Sequence, residues 1–131
     1  MDIKVGTEYT SATTVDQSNI ASAVGSGLVD VFATPMMIAL MELAASECIK
    51  PFLESGQASV GTQVNVSHSD ATPVGMKVFA TAKVVAVDRR RVDFDVKMRD
   101  EAGEIGRGTH TRFIIDTEKF MTKAALKGRK A

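Results

Sequence analysis

The hydrophobic pattern of this chain changes period once, and that change constrains the fold more than any other feature. Residues Pro35-Met36-Met37-Ile38-Ala39-Leu40-Met41-Glu42-Leu43-Ala44-Ala45 are apolar throughout except for Glu42, which reads as a buried helix. From residue 59 the period is two. Val60, Thr62, Val64, Val66 and His68 fall on one strand face, while Gly61, Gln63, Asn65 and Ser67 fall on the other. Farther on, Val92, Phe94, Val96 and Met98 alternate with Asp93, Asp95, Lys97 and Arg99, the pattern of a strand with one buried face and one in water. A single helix followed by long strands specifies an α+β domain in which the helix packs on a largely antiparallel sheet.

Punctuation residues set the boundaries. Thr34-Pro35 predicts a helix start, with Thr as N-cap and Pro at the first helical position. Pro51 stops the helix near Lys50, because proline clashes with the preceding turn. Strands are expected near Lys4 to Thr10, from residue 59 to His68, from Met76 to about Val87, across Val92 to Met98, and from Glu104 to Ile115. Turn chemistry lies at Ala71 to Gly75, Asp88 to Arg90 and Asp100 to Gly103. Ser11 to Gly27, rich in small and polar residues, reads as a mobile or covering segment. Gly103, Gly106 and Gly108 read as turn and bulge positions. The strands exceed the usual length of about 5 to 6 residues, so one helix covers only part of the inner face. The uncovered edges and apolar surface favour a partner subunit, and a homodimer is expected.

Length and charge bound the function classes. A chain of 131 residues with 44% hydrophobic content fits one domain, residues 1–131, with one core. Sixteen basic residues balance sixteen acidic ones, so the whole-chain field favours neither nucleic acid nor an anionic membrane. The apolar run from Val31 to Ala45 is broken by Thr34 and Glu42 and falls short of the ~18 residues of a membrane span. The first residues lack the basic and apolar regions of a signal peptide. A lone Cys48 forms no internal disulfide and is compatible with a reducing, cytoplasmic setting. Two isolated histidines and one cysteine give no metal-ligand spacing, and no metal or other cofactor is expected. The tail from Lys119 to Lys130 holds five positive charges and reads as a solvated helix end; contact with phosphates is the alternative reading.

Three polar residues stand out against this frame. Glu42 must reach water or be paired, because an unpaired buried charge costs several kcal/mol or shifts toward its neutral form. His68 is a base titrating near neutral pH on the more apolar face of its strand. Thr34 places a hydroxyl at the helix N-terminus, where the dipole favours negative charge. Each also has a purely structural reading: an N-cap for Thr34, a solvated helix edge for Glu42, a satisfied half-buried side chain for His68. His110 reads as structural, and Arg112 either pairs with an acid or contacts a ligand.

The strings Val31-Phe32-Ala33-Thr34, Leu40-Met41-Glu42, Gly61-Thr62, Val66-Ser67-His68, Ala71-Thr72-Pro73 and Gly108-Thr109-His110-Thr111-Arg112 resemble the fluoroacetyl-CoA thioesterase-like family of hotdog-fold enzymes. The resemblance spans about residues 30 to 120. It implies the hotdog fold, an acyl-CoA substrate and hydrolysis of its thioester. It also implies that Thr34, Glu42 and His68 form the catalytic triad and that Gly61 and Arg112 line the acyl pocket. Two departures stand out. Asp70 interrupts a stretch of small residues after His68. The segment from Ala23 to Asp30, aromatic-rich in the fluoroacetyl-specific member, contains no aromatic residue here. A more open pocket with weak fluoroacetyl selectivity is the expectation.

Along a helix Thr34 and Glu42 lie about 12 Å apart with a rotational offset near 80°. They cannot touch directly. Either His68 bridges them within one chain, since an imidazole with two hydrogen bonds spans roughly 7 Å, or a partner subunit supplies one member. Thr34 acts as nucleophile or orients water, and attack by Glu42 itself is the alternative. The rival from another class is a non-catalytic module that binds acyl-CoA or another small ligand; a hydratase on the same fold is a third reading.

Overall fold

The computed structural model describes residues 2–129. In chain order the elements are β1 (Glu8–Thr14), α1 (Ala21–Val24), α2 (Thr34–Ile49), a 3-10 turn (Lys50–Phe52), β2 (Gln57–His68), β3 (Lys77–Asp88), β4 (Arg91–Asp100), β5 (Glu104–Asp116) and α3 (Thr117–Arg129). The strands form one antiparallel sheet in the order β1-β3-β4-β5-β2. This is the α+β architecture that the change of period predicts, with α2 as the central helix.

The core forms where the two periods meet. Met37, Met41, Ala44, Ala45, Cys48 and Ile49 are the buried stripe of α2, and they pack on the inner residues of β3, β4 and β5. Ala80 and Ala82 on β3 face Ala44 and Ala45 as part of one cluster. Small side chains on both elements let the helix seat close to the sheet, where each buried large apolar side chain contributes about 1.5 to 3 kcal/mol. The alternation of β4 matches its burial: Val92, Phe94, Val96 and Met98 are buried while Arg91, Asp95, Lys97 and Arg99 are exposed.

Three expectations are corrected. β1 begins later than Lys4 and runs to Thr14, paired with β3 from Glu8↔Lys83 to Thr14↔Lys77. The segment from Ser11 to Gly27 is a built part of the fold: Ser11, Val15, Ile20 and Ala21 are buried, and Ser11 Oγ donates to the Leu40 carbonyl at 3.0 Å. Of its sizeable apolar residues Val15 and Ile20 are buried and Val24 is exposed, a division that average polarity does not reveal. The even face of β2 is also interrupted, because the pairing with β5 shifts between Gly61 and Gln63. Thr62 sits in a bulge, and side chains on either side of it exchange faces. Ser59 and Gly61 therefore share the inner face with Val64, Val66 and His68.

β2 is one edge of the sheet, opposite β1, and none of its residues is fully buried. α3 continues from β5 with none of its residues buried. Lys130, part of the basic tail, lies outside the described residues.

Candidate active site

Thr34 and His68 meet at one end of the sheet. Thr34 Oγ1 lies 2.8 Å from His68 Nδ1. The N-cap reading of Thr34 is overturned: Ala33 caps α2, no side chain caps it, and the Thr34 hydroxyl is spent on the imidazole instead. Backbone contacts fix both residues from outside. Ala33 N–H donates to the Asn19 carbonyl and Phe32 N–H to the Thr72 carbonyl, each at 2.9 Å. The Thr72 hydroxyl, fully buried, donates to Asp100 Oδ2 at 2.8 Å, and Ser69 N–H donates to the Ile105 carbonyl at 2.7 Å. The loop after His68 and the segment entering α2 are thus latched to each other and to the β4–β5 hairpin. Thr72 lies in the Ala71-Thr72-Pro73 string, but no sequence signal pairs it with Asp100, 28 residues on.

If the Thr34 hydroxyl donates to Nδ1, the imidazole proton sits on Nε2. Among the described residues His68 Nε2 is buried with no hydrogen-bond partner, a state that costs on the order of 1 to 3 kcal/mol when left unrelieved. Burial lowers the His68 pKa below its ordinary value, and the neighbouring Asp70 only partly opposes this. The neutral imidazole, able to accept a proton, is therefore favoured.

Glu42 lies elsewhere. Its carboxylate pairs with Arg112, Nη1 to Oε2 at 3.3 Å, and its side chain is 41% exposed while that of Arg112 is 8% exposed. Arg112 also donates to Ser59 Oγ at 2.8 Å and to the Ser59 carbonyl at 2.9 Å. Burial pulls the Arg112 pKa down and the Glu42 charge opposes it. His110 is buried, with Nδ1 at 2.8 Å from the Gln63 carbonyl and Nε2 at 3.2 Å from Arg112 Nη1. An Nδ1–H donating to the carbonyl leaves Nε2 to accept from the guanidinium, so His110 is a structural support for Arg112 as its position implied. Of the two readings of Arg112, the pair with an acid is the one seen.

Gly61 closes this second cluster. A Cβ there would stand 2.5 Å from Glu42 Oε2 and 3.1 Å from His110 Cε1, so a larger residue would displace the carboxylate from this position. Gly106, opposite His68 in the register, is required for a similar reason: a Cβ would meet the Ser67 carbonyl at 2.6 Å and Met37 Sδ at 2.9 Å. It is a close-approach position more than a turn.

The structure therefore brings Thr34 and His68 together, and separately gathers Glu42, Gly61 and Arg112. No hydrogen bond links Glu42 to His68 among the described residues. A cleft of about 320 Å³ opens beside Thr34 and His68, walled by Ser26, Gly27, Val29 and Asp70 among others. The segment from Ala23 to Asp30 gives the cleft only Ser26, Gly27 and Val29, while Phe32, a buried core residue, supplies a phenyl ring to its wall. No group of three or more metal-ligating side chains occurs among the described residues, and no helix there is long and apolar enough to cross a membrane.

A profile of the family described as FlK, fluoroacetyl-CoA-specific thioesterase, matches residues 15–118. The chain belongs to this family. It is a thioester hydrolase on the hotdog fold. A fluoroacetyl-CoA thioesterase from Streptantibioticus cattleyicolor is 44% identical over 98 residues, covering 75% of this chain and 70% of the relative. The crystal structure of the fluoroacetyl-CoA thioesterase FlK superposes with a TM-score of 0.92 at 35% identity, covering 97% of this chain and 98% of the other. A thioesterase superfamily member from Thermus thermophilus, TTHA0967, gives 0.88 at 31% identity, with 98% and 96% covered.

Proposed function

We propose that the protein hydrolyses acyl-CoA thioesters with Thr34, Glu42 and His68 as its reacting groups, in a homodimer paired along the outer edge of β2. The observation that carries this reading is the Thr34–His68 contact at 2.8 Å beside an open cleft. Neutral His68 takes a proton from the Thr34 hydroxyl, or from a water that the hydroxyl orients, as the nucleophile adds to the thioester carbon. The N-terminus of α2 favours the negative charge that develops there. His68 returns the proton to the departing sulfur, so CoA leaves as the thiol. Where Thr34 is the nucleophile, a water deprotonated by His68 then hydrolyses the acyl ester on Thr34 and releases the acid.

The carboxylate is supplied from the second subunit. Antiparallel pairing of β2 with its own copy, with the two-fold axis between Val64 and Asn65, sets His68 opposite Gly61 of the partner subunit. Gly61 stands directly beside the Glu42 carboxylate. Glu42 of the partner subunit then accepts from His68 Nε2, fixing the tautomer and stabilising the imidazolium. Pairing in this way also covers the long exposed edge that β2 presents. Arg112 holds the carboxylate in place, and with Gly61 it forms the wall against which the acyl group lies.

In that arrangement the two influences on His68 oppose each other, since burial lowers its pKa and the carboxylate raises it. Removing the carboxylate leaves burial in control. The residual activity of Glu42→Gln should therefore show the acid limb of its kcat/KM profile moved to lower pH than wild type, with a midpoint under 6.5. An acid limb moved upward would contradict the placement of Glu42 against His68.

Thiol release from a panel of acyl-CoAs tests the activity itself, and no release from any of them would overturn it. The same panel reads selectivity. Leu28 is 98% exposed, and the segment around it gives the cleft only Ser26, Gly27 and Val29, with Phe32 its one phenyl wall; a hydrophobic pocket separates substrates by only about 1 to 3 kcal/mol per methylene even when well packed. Fluoroacetyl-CoA and acetyl-CoA should have similar kcat/KM, with measurable turnover of butyryl-CoA. A strong preference for fluoroacetyl alone would show that selectivity does not need an aromatic lid.

A further inference from the structure

The cleft beside Thr34 and His68 has a lopsided charge. Asp70 is the one acidic residue on its wall, and no lysine or arginine lines it. Nothing nearby offsets that carboxylate. Among the described residues Asp70 is in no ion pair, and its side chain accepts a single hydrogen bond, Oδ1 from the Ala71 N–H at 3.0 Å. Arg107 follows Gly106, the residue opposite His68, but both of its bonded nitrogens are held by Glu104. Arg112, the cation of the second cluster, is committed to Glu42 and Ser59. Asp30, between the lining residues Val29 and Val31, is acidic as well. Asp70 is also close to the reacting groups, because it follows His68 by two residues and their Cα atoms are at most about 7.6 Å apart. Its charge is felt at the imidazole, where it raises the His68 pKa against the effect of burial.

We propose that Asp70 sets the charge of the acyl group that this cleft admits, favouring short acyl chains that end in an ammonium over chains that end in a carboxylate. The proposal rests on the acyl-CoA reading given above and narrows its substrate class. Hydrolysis requires the thioester carbon to lie against the Thr34 hydroxyl, so the acyl atoms next to it enter the field of Asp70. The pantetheine side of the thioester is uncharged, and at this wall only the charge of the acyl group distinguishes one substrate from another. A terminal ammonium meets an unpaired counter-charge there. A terminal carboxylate meets a like charge, which rejects the wrong substrate by repulsion. The rival role for Asp70 is that of a turn residue alone, which needs only the bond from the Ala71 N–H. Asparagine also accepts that bond, so substitution by it removes the charge and keeps the turn.

Three acyl groups of similar size separate charge from volume: β-alanyl, butyryl and malonyl, which end in an ammonium, a methyl and a carboxylate. In the wild type kcat/KM should fall in that order. In Asp70→Asn the ratio of kcat/KM for β-alanyl-CoA over malonyl-CoA should fall about tenfold, the scale of removing one partly solvated charge from beside the substrate. Any change in His68 acts on all three substrates alike and cancels in the ratio. An unchanged ratio, or a wild type that prefers malonyl-CoA, would overturn the proposal. Binding of two CoA thioethers that are not hydrolysed, S-(3-aminopropyl)-CoA and S-(2-carboxyethyl)-CoA, separates this from the activity. Tighter binding of the aminopropyl compound by the wild type, with the difference reduced in Asp70→Asn, supports the role of Asp70 even if no thioester is hydrolysed, a result that would count against the hydrolysis reading alone. With no hydrolysis, thioether affinities whose ratio is the same in both proteins, or binding of neither compound, would overturn it.

Discussion

His68→Ala should lower the rate of thiol release from an acyl-CoA by on the order of 10² or more, the scale of lost general-base catalysis. His68 is the only ring in contact with the Thr34 hydroxyl among the described residues, so no neighbouring base takes its place. The fold should survive. The side chain is half-buried at the end of an edge strand, and its removal takes away a buried nitrogen that has no partner among the described residues. Single-turnover thiol release and a thermal melt, measured together, separate the two effects. Equal thiol release by variant and wild type would remove His68 from the mechanism.

Glu42→Gln is expected to cost a similar factor, ~10² or more, because the amide keeps the shape but cannot stabilise an imidazolium. Its effect on stability should be much smaller. The change takes the charged partner from Arg112, which is buried, but the glutamine amide oxygen can still accept from Arg112 Nη1, and Arg112 retains both of its bonds to Ser59. A fully active variant would show that Glu42 serves only to neutralise Arg112.

Much of this architecture is legible in the sequence because it rests on local patterning. The alternation from Val92 to Met98 and the apolar run from Pro35 to Ala45 each bury one face whatever the rest of the chain does, so the helix and the long strands follow from period alone. The motif strings placed Thr34, Glu42 and His68 among the candidates. What stayed hidden depends on contacts far apart in sequence. The bulge at Thr62 is set by pairing with β5, and it moves Gly61 and Ser59 onto the inner face beside residues that simple alternation puts opposite. Thr34 looks like an N-cap because Thr-Pro is a favoured helix start; only the approach of His68, 34 residues on, reassigns its hydroxyl. The short α1 and the buried positions of Ser11 to Gly27 were lost in a composition that averages polar.

The proposed division of the site between two subunits is most directly tested by complementation. Co-expressed His68→Ala and Glu42→Gln chains form mixed dimers in which one site has Thr34 and His68 from the second chain and Glu42 from the first, all intact, while the other site carries both changes. With random assortment half of the dimers are mixed and each has one working site of two, so thiol release should recover to about a quarter of wild type. Recovery to that level, from parents that are each nearly inactive, is the result predicted. Activity of the mixture no higher than that of its parents would show that Glu42 and His68 do not meet across the dimer.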